Sequence, residues 1–298
     1  MAQIKANGIN LEYDVHGPEN GEPVLLIMGL GAQMTRWPAE FIAEFTRRGY
    51  RVIRFDNRDV GLSHKFHDAG PGDIAAIMAA RMQGKSVTAA YNVDDMANDA
   101  VGLLDALGIK KAHIVGASMC GMIAQMVAAQ HPEKTLSLTS IMSSTGNPGL
   151  PSAKPEAMAI LMNRPESEDV EYLAGRAVTS ARTIGSPGYP AAEADIRARF
   201  HEDYKRSYYP IGVTRQMAAV MASGDRREAL KKIKAPTVVV HGVDDALVPV
   251  EGGRDTVANI AGATIVEIPG MGHDLPPALY KQVVDAFESV AKKARATA

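Results

Sequence analysis

A serine at the junction of an aliphatic run and a helix-forming run is the first residue here equipped for chemistry. In Ala112-His113-Ile114-Val115-Gly116-Ala117-Ser118-Met119-Cys120-Gly121 the pattern predicts a strand, a tight turn and a helix starting near Met119. Such a turn lifts the Ser118 hydroxyl above the sheet edge in a strained conformation, which demands small neighbours two residues to either side. Gly116 meets that demand. Cys120 stands where glycine is usual, so G-x-S-x-G fails by one residue, although Gly121 follows at once. A serine N-cap at an ordinary strand–helix junction is the plainer alternative for this window.

A serine hydroxyl attacks only if a base takes its proton and an acid orients that base. Two downstream loops supply the residue types. His241-Gly242-Val243-Asp244-Asp245-Ala246-Leu247-Val248-Pro249 follows an aliphatic run and offers two aspartates; Ile268-Pro269-Gly270-Met271-Gly272-His273 follows the next run and ends on a histidine. Both loops leave the carboxyl ends of predicted strands, where open α/β sheets bind ligands, and the order Ser, Asp, His is that of the α/β-hydrolases. The other seven histidines lie in strands, helix ends or polar loops and suit packing or solvated roles. Acyl transfer also needs two backbone N–H donors for an oxyanion. Met119, next after the serine, offers one. The second belongs in the loop after the Pro23 to Met28 run, where Gly29 and Gly31 permit a turn.

The elements that must hold these residues read as an α/β sheet. Buried-strand runs lie at Pro23 to Met28, Arg51 to Asp56, Ala112 to Val115, Leu136 to Met142, Ala235 to His241 and Thr264 to Ile268. Between them, Val93, Met96, Ala100, Leu103, Leu104 and Leu107 form one apolar helical stripe, with Asn92 as N-cap and Gly108 as stop. A closing helix carries Leu279, Val283, Phe287 and Val290. From about Gly146 to Arg227, prolines punctuate short Ala- and Met-containing helices with no convincing strand. The expected organisation is therefore a core of residues 1–146 and 228–298, interrupted by a helical cap of residues 147–227.

Composition narrows the partners. The 298 residues are 46% hydrophobic, with 32 Lys and Arg against 34 Asp and Glu, a formal charge of −2. No basic block exists to grip nucleic acid or an anionic membrane surface. Neither a secretory signal nor a membrane span is expected. Cys120 is the single cysteine, so a cytoplasmic protein with a reduced thiol is anticipated. No cofactor is expected. Gly29-Leu30-Gly31-Ala32-Gln33-Met34 begins like a dinucleotide fingerprint but places Met34 where a third glycine must pack. No Cys/His cluster has zinc spacing, so no metal is expected, and Asp56-Asn57-Arg58-Asp59 suits a hydrogen-bonded structural turn.

From the Met28-Gly29-Leu30-Gly31 turn, through Phe55-Asp56-Asn57-Arg58-Asp59-Val60-Gly61-Leu62-Ser63 and the Ser118 window, to the Asp245 and His273 loops, the chain resembles α/β-hydrolases of the bacterial esterase type, similar to the aclacinomycin methylesterases. The resemblance implies a mostly parallel central sheet flanked by helices, with a helical cap inserted between strands. It implies Ser118 as nucleophile, His273 as general base, Asp245 rather than Asp244 as the orienting acid, and Leu30 as the second oxyanion donor. Cys120 is the departure from the family pattern. The expected activity is hydrolysis of a small-molecule carboxylic ester. Gly29, Met34 and Met271 flank the site as candidate substrate contacts, and thioethers suit an apolar acyl or alcohol group, although methionines equally fill ordinary core. The same triad serves carbon–carbon bond hydrolases, lactonases and perhydrolases, and some members of the fold are receptors or scaffolds. A homo-oligomer is compatible with the sequence.

Overall fold

A computed structural model describes every residue except Gly84, Ser86, Arg164 and Ala298, and all side chains but these and those of Arg81 and Thr297. Strands β1 (Ala2–Ala6), β2 (Ile9–His16), β3 (Glu22–Ile27), β4 (Tyr50–Phe55), β5 (Ala112–Ala117), β6 (Thr135–Ile141), β7 (Thr237–Gly242) and β8 (Thr264–Ile268) form one sheet in the order β1-β2-β4-β3-β5-β6-β7-β8. Neighbours from β4 to β8 run parallel, whereas β2 is antiparallel to both β1 and β4. The six predicted runs coincide with β3 to β8 within about two residues, the usual uncertainty of element ends. The first sixteen residues contain none of the predicted runs and yet form β1 and β2. Asn7 and Gly8 join them with φ of 47° and 81°, the left-handed pair that a two-residue hairpin loop requires.

The helices are α1 (Ala39–Thr46), α2 (Ile74–Met82), α3 (Val93–Ala106), α4 (Met119–Gln130), α5 (Pro155–Met162), α6 (Val170–Ile184), α7 (Glu193–Arg206), α8 (Pro210–Ser223), α9 (Arg227–Leu230), α10 (Val250–Ala258) and α11 (Tyr280–Thr297). Asn92 caps α3 as predicted, and Asp95 reaches back to the Asn92 N–H to close a reciprocal capping box. Strand alternation splits the core into two apolar layers. Leu25 and Ile27 of β3 pack with α3 and α4 on one face, while Val24 and Leu26 pack with Phe41 and Phe45 of α1 and Phe287 of α11 on the other. Helices α5 to α9 all lie in the connection between β6 and β7.

The Asp56–Asp59 turn is a structural hub, as its composition suggests. Asp56 accepts the N–H groups of Met34 and Leu62, and Arg58 forks onto Asp99 at 2.6 and 2.7 Å. Asp59 receives the guanidinium of Arg215 from α8 through two 2.7 Å contacts and the Tyr91 hydroxyl at 2.7 Å. Burial alone would raise the Asp59 carboxyl, but these donors overcome it and hold it below the ordinary carboxylate range. A fully buried ion pair thereby ties α8 to the sheet.

Candidate active site

Successive strands are laid down to one side of β3 with β4 and to the other side with β5, so the strand order reverses between β3 and β5 although all three run parallel. Loops leaving the carboxyl ends of β3 and β5 therefore meet over one crevice. Ser118 sits at the end of β5, immediately before α4, with φ 58° and ψ −126°. A non-glycine residue there stores about 1–3 kcal/mol of strain, held in place by the Ser118 N–H bond to the Ile141 carbonyl at 2.9 Å. The small neighbours the turn needs are now identifiable. A Cβ on Gly116 would lie 2.0 Å from the Cys120 carbonyl oxygen, and one on Gly121 would lie 2.4 Å from the Ser143 Cβ. Close approach falls on Gly116 and Gly121, so Cys120 fits without widening the turn.

The Cys120 side chain is fully buried and points toward β3. Its thiol donates to the Met28 carbonyl oxygen, and Asn57 Nδ2 donates to that same oxygen at 2.9 Å and to the Cys120 sulfur at 3.2 Å. Burial pushes the thiol far above its ordinary range, with the Asn57 hydrogen bond acting weakly in the other direction.

Across the crevice, His273 Nε2 lies 2.8 Å from Ser118 Oγ, and His273 Nδ1 lies 2.7 Å from Asp245 Oδ2. The other Asp245 oxygen accepts the N–H groups of Leu247 and Val248 at 2.9 and 2.8 Å. With both carboxylate oxygens accepting, Nδ1 carries the imidazole proton and Nε2 is left to accept the Ser118 hydroxyl. The Asp245 side chain is wholly buried and that of His273 is 7% exposed. Asp244 is exposed and does different work: its carboxylate accepts the Gly270 N–H at 2.7 Å, joining the two loops.

The loop after β3 completes the crevice. A Cβ on Gly29 would stand 3.3 Å from the Ser118 Cβ, so Gly29 faces the serine. The Ala32 N–H donates to the Gly29 carbonyl at 3.1 Å, and among the described residues the Leu30 N–H has no protein acceptor. The Met119 N–H belongs to the first turn of α4, whose donors lack intrahelical acceptors. Met34 and Met271 are fully enclosed by protein, Met271 within the apolar layer under α1 and α11. Among the described residues no cluster of three metal-ligating side chains exists, and no helix is long and apolar enough to cross a membrane.

The model of the alpha/beta hydrolase fold family matches residues 22–276. The chain belongs to that family. Within the alpha/beta hydrolases, it is 28% identical to the rhodomycin D methylesterase DauP of Streptomyces sp. strain C5 over 305 residues, covering 95% of each chain. It is 30% identical to the putative carbamate hydrolase RutD of Variovorax paradoxus over 269 residues, with 88% of this chain and 89% of the relative covered. Among solved structures, the meta-cleavage product hydrolase CumD of Pseudomonas fluorescens superposes with a TM-score of 0.74 at 20% identity, covering 100% and 98% of the two chains. That last likeness is one of fold.

Some residues around this alpha/beta hydrolase site carry no motif. The Ile184 carbonyl at the end of α6 accepts the His273 N–H at 2.6 Å, and the Ser186 hydroxyl accepts the Gly272 N–H at 2.9 Å while donating to Asp274. His241, at the end of β7, donates through Nε2 to the Val248 carbonyl at 2.8 Å and so braces the loop that wraps Asp245. His241 and Val248 lie within the one loop window already singled out, whereas Ile184 and Ser186 reach the His273 loop by packing across elements far apart in sequence.

Proposed function

We propose that this alpha/beta hydrolase is a serine-dependent carboxylic-ester hydrolase. The observation that carries the reading is the unbroken chain Asp245–His273–Ser118 with contacts of 2.7 and 2.8 Å. Ser118 Oγ attacks the ester carbonyl as His273 Nε2 takes its proton. The tetrahedral oxyanion sits against the N–H groups of Met119 and Leu30. His273 then returns the proton to the leaving alcohol, giving an acyl-Ser118 ester. Water, deprotonated by the same nitrogen, attacks that ester and releases the acid. Asp245 keeps the proton on Nδ1 and stabilises the imidazolium as it forms. Residues 147–227 act as a helical cap that shapes access, and Gly29, facing Ser118, lets a substrate carbonyl approach.

The methylesterase relatives favour ester substrates, and the partly buried apolar Leu30 beside the buried Met119 favours small to medium apolar ones. The test is a p-nitrophenyl ester series from acetate to decanoate on wild type and Ser118→Ala, with a serine-directed phosphonate as covalent label. Hydrolysis lost in the variant, with label on Ser118, is the expected result. Labelling of Ser118 without turnover of any ester would sink the ester assignment and point to carbon–carbon or lactone substrates. Neither labelling nor turnover would leave a receptor or scaffold.

A further inference from the structure

The turn that presents the Leu30 N–H is gripped from the helical connection between β6 and β7. Gln216 of α8 is fully buried and uses both ends of its amide. Its Oε1 accepts the Gly31 N–H at 2.8 Å, and its Nε2 donates to the Arg58 carbonyl at 2.8 Å. The neighbouring α8 residue Val213 lies against the same turn, 2.9 Å from where a Gly31 Cβ would stand.

In a trans peptide the N–H and C=O point in opposite directions. The Gly29 carbonyl is bound to Ala32 N–H on one side of the turn, so the Leu30 N–H of the same peptide unit points away from that bond. The next peptide unit carries the Gly31 N–H. Fixing it on Gln216, with Gly31 at φ 64°, prevents the Leu30 unit from rotating without leaving a buried donor and acceptor unmatched. Asn57 and Cys120 hold the preceding Met28 carbonyl from the sheet side, and Gln216 supplies the grip on the far flank.

We infer that Gln216 is a positioning residue for transition-state stabilisation: through the Gly31 N–H it holds the Leu30 N–H in its oxyanion-binding orientation, so that catalysis depends on the docking of α8. The inference rests on the serine-esterase reading above. Gln216 touches neither substrate nor the reacting atoms. Its effect should therefore appear in the transition state and leave substrate binding nearly alone.

The test compares Gln216→Met, similar in size but without hydrogen-bonding ends for Gly31 and Arg58, with Gln216→Glu, which keeps the acceptor for Gly31. In Gln216→Met, kcat should fall roughly ten- to a hundredfold with little change in KM, less than the 10²–10³-fold cost of deleting an oxyanion donor. Affinity for an alkyl trifluoromethyl ketone, which forms a tetrahedral adduct on Ser118, should fall in the same proportion. Gln216→Glu should retain most of kcat. A folded Gln216→Met with unchanged kcat, or with a change in KM alone, would overturn the inference. If that variant does not fold, Gln216→Asn, one methylene too short to reach both Gly31 and Arg58, takes its place, and a folded Gln216→Asn with unchanged kcat would overturn the inference equally. Failure of the esterase reading is distinguishable, because wild type itself would then show no ester turnover.

Discussion

The Cys120 thiol donates to the Met28 carbonyl oxygen, linking the first turn of α4 to the strand end that leads into the Leu30 turn. The residue that breaks the expected glycine pattern thus occupies space left by the backbone and fills it with a hydrogen bond. Being fully buried with its thiol pushed upward, Cys120 should resist iodoacetamide and disulfide reagents in the native protein and react only on unfolding. Rapid native modification would contradict this placement. Cys120→Gly should cost about 1–3 kcal/mol, from a helix glycine and a lost buried contact. Thermal melts and ester assays should show weakened stability with much of the activity kept; complete loss of activity in a folded variant would mean that the thiol takes part in chemistry.

Asp245 and Asp244 are adjacent in sequence and differ in their contacts, Asp245 meeting His273 Nδ1 and Asp244 the Gly270 N–H. Asp245→Asn keeps the shape of the acid yet cannot hold the imidazole in the required tautomer, so kcat should drop by about 10⁴. Asp244→Asn retains an acceptor for the Gly270 N–H at an exposed site, and activity should stay within about threefold, as for most exposed substitutions. Reversed effects in steady-state kinetics would move the orienting role to Asp244.

How far the sequence carries this site depends on whether the determining contact is local. Ser118, His273 and the six parallel strands are legible because strand, turn and helix signals lie within a dozen residues of each functional side chain. The hairpin of β1 and β2 carried its own signal in Asn7-Gly8 flanked by Ile4, Ile9 and Leu11, but a polar, half-exposed edge does not read as a buried run. Gln216 is different in kind. Nothing in Arg215-Gln216-Met217 marks a polar residue whose partners, Gly31 and Arg58, lie 185 and 158 positions away. Likewise the need for a glycine at 121, not at position 120, depends on where the chain leaving β6 delivers Ser143.

Glycine substitutions separate these positions. Gly116→Ala would press a methyl group to 2.0 Å from the Cys120 carbonyl and 2.8 Å from the Ala124 Cβ, displacing the start of α4. A loss of about 3 kcal/mol or more, with ester hydrolysis abolished, is expected. Gly175→Ala, within α6 and with no atom within 4 Å of the new methyl, should instead add about 0.5–1 kcal/mol. Chemical denaturation of both variants checks the pair; a tolerated Gly116→Ala would refute the tight turn around Ser118.

Asp274 gives the site a pH-dependent element. Burial raises its carboxyl above the ordinary value of 3.8, partly opposed by hydrogen bonds from the Ser186 side chain and N–H and by the charges of His273 and Arg199. Below 3.8 the folded and unfolded chains both hold this proton, and Asp274 adds no slope. As pH rises past that value the unfolded chain ionises first, so the folded state loses stability until pH exceeds the raised native value, after which the loss is constant. Asp274→Asn keeps an oxygen for the Ser186 N–H and removes the charge. Its melting temperature should therefore gain on wild type as pH rises from about 4 and then hold a constant lead. If wild type gains on the variant instead, the Ser186 donors outweigh burial, and the clasp between α6 and the His273 loop is strongest with Asp274 ionised.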